Sequence, residues 1–195
     1  LTGLNPGQNV DIYIQSNCGS GDLSLWSIPI NIQTPCGIAI APYFDNFDAG
    51  IPCWTQDQND VFDWTLNSGG TPSSGTGPSD DLSFGGDYIY IETSSPRVQG
   101  DRAILYSPFV DLSALTTPEL RFFTHMFGND IDSLIIDITD DGGLTYNNIF
   151  IKNGTQQNQW VEENVDLSNY SGSIQFKITG TRGSSWAGDI SIDNF

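Results

Sequence analysis

The chain has 195 residues, enough for one sizeable domain or a domain with a fragment beside it. Twenty-four Asp and Glu face six Lys and Arg, a formal net charge of −18 that makes nucleic acid and anionic membranes electrostatically unfavourable partners. No apolar run approaches the length of a membrane-spanning helix, and the 12% of aromatic residues can fill a core that is lean in aliphatics, which excludes a disordered chain.

No stretch holds a helical period. Short alternating segments separated by Gly, Asn, Asp, Ser and Pro predict strands at 9–16, 28–33, 87–92, 102–106, 120–126, 133–139, 147–152, 160–166, 174–181 and 190–193. Together they specify an all-β two-sheet sandwich or jelly roll. The Gly-, Ser-, Thr- and Pro-rich stretch 68–83 reads as a long surface loop. Thr34-Pro35-Cys36-Gly37 ends one pattern and Ala41-Pro42 opens the next, so the expected organisation is a fragment at 1–36, a linker at 37–42 and a domain at 43–195. The first block is a β-hairpin too short to bury its own core, and Ile12, Ile14, Trp26, Ile28 and Ile30 require a covering surface.

Twenty of the acids are Asp and only four are Glu. Asp suits turns and is a hard oxygen ligand, so this bias reads as an all-β extracellular protein with calcium as its candidate cofactor. The three cysteines, Cys18, Cys36 and Cys53, permit one disulfide and leave one thiol. No pair has Cys-x-x-Cys spacing and His125 has no neighbouring Cys, which argues against zinc. The chain lacks an initiator Met and begins and ends abruptly, and is expected to be a piece of a larger secreted multidomain protein.

Leu4-Asn5-Pro6-Gly7 followed by Val10-Asp11-Ile12-Tyr13-Ile14, and then Ser24-Leu25-Trp26-Ser27 and Ile28-Pro29, resemble the last third of a fibronectin type III domain. That resemblance covers 1–36. It implies a disulfide between Cys18 and Cys36, one after the tyrosine strand and one past the final strand.

The rest of the chain resembles the MAM domain in an ordered series of motifs. These are Phe47-Asp48, Cys53-Trp54-Thr55-Gln56-Asp57, Phe62-Asp63-Trp64, the Gly69–Pro78 loop, Tyr88-Ile89-Tyr90-Ile91-Glu92, Leu120-Arg121-Phe122-Phe123-Thr124-His125 and Gly188-Asp189-Ile190-Ser191-Ile192-Asp193-Asn194. The resemblance implies a jelly roll that serves adhesion, oligomerisation or glycan attachment and is not an enzyme. The family's cysteines are mostly missing. Cys53 is therefore a buried thiol, or else it bonds to Cys36 and leaves Cys18 free. A cation where the first and last strands meet is also implied, with Asp48 and Asp193 as ligands, Asp57 and Asp63 in matching early motifs and Asp45 and Asp189 nearby. Ca2+ suits such a set better than Na+.

Thr139-Asp140-Asp141-Gly142-Gly143-Leu144-Thr145-Tyr146 resembles an Asp-box, a hairpin turn closed by Asp141. His125 stands in an apolar strand and reads as packed and hydrogen-bonded rather than as a general base. No Gly-x-Ser-x-Gly, His-Glu-x-x-His or phosphate loop occurs. Trp160, between polar residues, and Trp186, in a Gly-flanked loop, are candidates to stack on a sugar ring, with core packing the commoner role for each. The expected function is a non-catalytic adhesion or binding module of a secreted or surface-attached bacterial protein, with no catalytic residues and no membrane insertion. Its expected partner is an extracellular glycan or a cell-surface protein. The alternatives are a spacer in a long adhesin and an accessory domain beside a secreted protease or glycan hydrolase.

Overall fold

A computed structural model describes residues 3, 4 and 6–195. The expected Leu4–Gly7 turn includes Asn5, outside the described residues. The chain divides into two compact units, Leu1–Gly37 and Ile38–Phe195.

In the first unit β1 (Asn9–Ile12) pairs antiparallel with β2 (Ile30–Gln33), Val10 opposite Ile32 and Ile12 opposite Ile30. Pairing continues beyond the strands through Ser27 N to Ile14 O and Ser24 N to Ser16 O, ending in a bridge between Asn17 and Leu23. Alternation puts Ile14, Ile30 and Ile32 on the face that carries Val10 and Ile12, and Ile14, Trp26, Ile28 and Ile30 are all exposed.

This register corrects the expected disulfide. Cys18 lies at the hairpin tip, its N–H donating to Asp22 O, whereas Cys36 lies past the other end of β2. About a dozen residues of extended strand, some tens of ångströms, separate the two, far beyond the ~7 Å that a disulfide allows between Cα atoms. Cys18 is free and exposed, and the disulfide-bonded cysteines are Cys36 and Cys53.

The second unit is a two-sheet sandwich, and no helix occurs among the described residues. One sheet runs β11 (Asn147–Asn153), β10 (Ile131–Thr139), β13 (Ser173–Arg182), β7 (Arg102–Tyr106) and β4 (Thr55–Gln56). β8 (Val110–Asp111) pairs with β13 in turn and β3 (Ala39–Ile40) with β8. The other runs β12 (Val161–Asp166), β9 (Glu119–His125), β14 (Ile190–Asp193), β6 (Tyr88–Ile91) and β5 (Thr65–Asn67). Every expected strand is present. The short β3, β4, β5 and β8 were not expected, and β3 occupies part of the expected linker.

Period-two alternation aims one side of each sheet inward. Ile136, Ile138 and Ile178 face Phe122, Ile190, Ile192, Ile89 and Ile91, with Trp64 and Phe47 completing a fully sealed core. Gly180 leaves room for this packing, since a Cβ there would stand 2.8 Å from Ile91 Cδ1 and 3.0 Å from Trp64 Cζ2. Asp45 and Phe195 exchange both backbone hydrogen bonds, which ties the start of the unit to its end. At one edge the Lys152–Glu163 ion pair, half-enclosed, joins the two sheets.

Candidate functional site

The five-stranded sheet has a second buried layer on its outer side. Alternation along β6, β9 and β14 turns Tyr88, Tyr90, His125, Asp189, Ser191 and Asp193 away from the core, yet all are buried. The loop 68–87 covers them. Tyr88 Oη donates to Gly69 O, Trp160 Nε1 to Asp80 O at 3.0 Å, and Leu82 N to Asp193 Oδ2 at 2.9 Å. Thr76 Oγ1 reaches Phe127 O and accepts from Asp189 N, both at 2.9 Å.

Burial shifts the titratable groups of this layer. His125 is pushed down to about 4 by desolvation, its Nε2 placed 3.1 Å from Asn158 Oδ1 and its ring against Trp160. Asp189 is raised to about 6, first by desolvation and then by the charge of Glu92, although Oδ1 accepts from Thr93 N at 3.1 Å and lies 3.2 Å from Thr93 Oγ1. Asp193 is likewise raised to about 6, by burial first, with the charges of Asp81 and Asp48 adding to it.

Asp48, Asp81 and Asp193 thus form an acidic seam around the loop. Asp48 Oδ1 accepts from Asp87 N at 2.8 Å, and Asp81 takes Ser83 N and Gly86 N on its two oxygens. A Cβ on Gly86 would sit 2.5 Å from Asp48 Oδ1 and 2.9 Å from Asp81 Oδ2, so both oxygens close on the same spot. Asp48, Ser83, Phe84, Gly85, Gly86 and Asp87 line a polar pocket of about 310 Å3, with Phe84 82% exposed at its rim. No ion pair among the described residues involves the three aspartates.

The other aspartates expected as ligands lie elsewhere in the fold. Asp57 lies on the other sheet, accepting from Asn59 N and Tyr106 Oη, and its carboxyl is held below the usual range by those bonds, chiefly that from Asn59. Asp63 is exposed beside the core Trp64. Asp45 is engaged by Trp54 Nε1, Tyr43 Oη and Phe47 N. Asp81, in the Gly-rich loop, joins Asp48 and Asp193 instead. The Asp80-Asp81-Leu82-Ser83 turn was its only signal in the sequence. Hard oxygens with no balancing cation suit Ca2+ in donor chemistry, although no group of three or more His, Cys, Asp or Glu among the described residues is arranged as a metal cage.

Of the two aromatics singled out for stacking, Trp160 is packed edge-on against Tyr88 and hydrogen-bonded under the loop. Trp186 is 47% exposed. In the Asp-box turn, Asp141 accepts from Leu144 N, Thr145 N, Thr139 Oγ1 and Thr145 Oγ1, and its carboxyl is held far below the usual range, first by the Thr145 hydroxyl. A larger cavity of about 370 Å3 is mainly apolar, with Tyr43, Phe44, Leu115, Leu120, Phe123 and Phe195 among its lining residues.

Comparison with known proteins agrees with this architecture. MAM domain-containing glycosylphosphatidylinositol anchor protein 1 of Rattus norvegicus is 35% identical over all of this chain, which spans 21% of that protein's length. The mouse protein of the same name is 39% identical, again over the whole chain and 21% of its own length. Among solved structures, the K1 cleaved adhesin domain of Lys-gingipain from Porphyromonas gingivalis W83 superposes with a TM-score of 0.56 at 17% identity, covering 78% of this chain and 94% of that one. Residues 45–195 match the MAM domain, meprin/A5/mu, and the chain belongs to that family.

Proposed function

We propose that the chain is a non-catalytic adhesion or binding module of a secreted or surface-attached multidomain bacterial protein, and that it recognises an extracellular polysaccharide or a surface protein. The observation that carries this reading is where the shifted titratable groups lie. His125, Asp189 and Asp193 sit beneath the loop 68–87, and their hydrogen bonds hold that loop and its neighbours to the sheet. A buried, neutral imidazole suits packing better than proton transfer to a substrate. The first unit is read as the C-terminal part of a fibronectin type III-like domain, whose remaining strands would cover the apolar face of the hairpin.

A structural Ca2+ belongs to this reading, held by Asp48 and Asp193 with Asp81 in place of Asp57 and Asp63. It is supported by the buried Asp193 carboxyl, which lies near the like charges of Asp81 and Asp48. Assays of the purified chain against peptides and against neutral and acidic polysaccharides are expected to show no turnover. Hydrolysis that disappears when a pair of aspartates is substituted would refute the reading.

A further inference from the structure

We propose that Trp186 and the polar rim of its loop form a stacking site for one sugar ring of a neutral glycan. This deepens the binding-module reading and rests on it.

The indoles of the second unit have different fates. Trp54 Nε1 donates to Asp45 Oδ2 at 2.8 Å, Trp64 Nε1 to Ala103 O at 3.1 Å and Trp160 Nε1 to Asp80 O at 3.0 Å. Each of those rings also packs within the fold. Trp186 is 47% exposed, and its indole N–H has no partner among the described residues.

The backbone around this unused side chain is held unusually firmly. A Cβ on Gly183 would collide with Asp130 O, one on Gly188 would stand 2.6 Å from the same oxygen, and one on Gly128 would collide with Ala187 O. The loop 183–188 and the segment 128–130 therefore lie flat against each other, a fit that glycine alone permits. Asp130 N donates to Ala187 O at 2.9 Å and Ser184 Oγ to Asp130 Oδ1 at 2.7 Å. Thr93 Oγ1 donates to Trp186 O at 2.8 Å and accepts from Gly188 N at 3.2 Å. A ring carried on a backbone fixed at so many points loses little freedom on binding.

The chemistry offered is a half-exposed indole with its donor, the exposed Ser184 Oγ as an acceptor, and the Asp130 carboxylate with lone pairs to spare. That set matches a pyranose, whose C–H face stacks on an aromatic while its hydroxyls donate and accept around the edge. The net charge of −18 and the carboxylate at the rim select against uronates and sulfated sugars.

The test is affinity electrophoresis in gels containing neutral galactan, xylan or β-glucan, with anionic alginate alongside, on the intact chain and on Trp186→Ala. At least one neutral polysaccharide should retard the intact chain. The substitution should weaken that retardation tenfold or more without moving the melting temperature, and Trp186→Phe should restore part of it. Should Trp186→Ala fail to fold, the Trp186 indole N–H resonance of the intact chain decides, since it must shift on titration with the retarding glycan. Retardation that Trp186→Ala leaves unchanged, or an unmoved indole resonance, would overturn this site and leave the binding-module reading standing. Retardation by alginate alone would overturn the neutral-glycan assignment. Retardation by none of these polymers would overturn both this site and the glycan half of the broader reading.

Discussion

The outer faces of the two sheets carry the same residue types in opposite circumstances. On the five-stranded sheet, Tyr88, Tyr90, Asp189 and Asp193 are roofed by the loop 68–87, and burial raises both carboxyls to about 6. On the seven-stranded sheet Tyr106 and Tyr146 lie half-buried, 5.9 Å apart, and Asp57 and Asp141 are held below the ordinary carboxylate range by hydrogen-bond donors. Asp189 also accepts hydrogen bonds, so their presence does not separate the two groups. What separates them is water: a solvated carboxylate gains from each donor, whereas a desolvated one must first offset its loss of hydration.

The largest expected effect comes from unroofing one face. Trp160→Ala removes an indole packed on Tyr88 and His125 and its bond to Asp80, and should cost about 4 kcal/mol in urea unfolding. Tyr106→Ala on the open sheet should cost only about 1 kcal/mol. Equal losses would mean that the loop seals nothing.

A second contrast is in pH. Asp189 binds a proton more tightly in the native state than the ordinary value of 3.8, so its contribution is fully present below 3.8 and is lost as pH rises through about 6. Two pH units correspond to roughly 3 kcal/mol at most. Asp57, with its affinity lowered, contributes above 3.8 and loses that contribution on acidification. Asp189→Asn should therefore remove about half of the decline in stability between pH 4 and about 7, since Asp193, raised to the same value, keeps its own share, and Asp57→Asn should remove none of it. A decline of unchanged size in Asp189→Asn would assign the whole step to other groups.

The sequence made the long strands legible because each repeats its alternation several times, as β10 does with Leu134, Ile136 and Ile138 on its inward side. β4 and β8, two residues each, have no period to read. His125 was legible as a packed, hydrogen-bonded side chain because it stands in an apolar strand, whereas the roof over Tyr88 and Asp193, formed by a distant Gly-rich loop, leaves no trace in local periodicity. Trp160, flanked by polar residues, packs under that loop, in the role that core packing gives most tryptophans. Trp186, in a loop flanked by glycines at 183 and 188, is half-exposed. Asp57 and Asp63 were chosen for their closeness to motif residues, but Asp57 follows β4 onto the opposite sheet from β14 and Asp193. Asp81 was hidden in a stretch that composition alone marks as loop.

Thermal melting with EDTA and with added Ca2+ tests most directly the proposed Ca2+ at the acidic seam of Asp48, Asp81 and Asp193. A ligand that binds only the folded state at a hundred times its Kd adds about 2.7 kcal/mol, roughly 5–10 °C for a chain of this size. EDTA should lower the melting temperature by some such amount, and added Ca2+ should restore it. Asp193→Ala should abolish the response, while Asp57→Ala keeps it. A melt of the intact chain indifferent to both EDTA and Ca2+ would contradict that proposal.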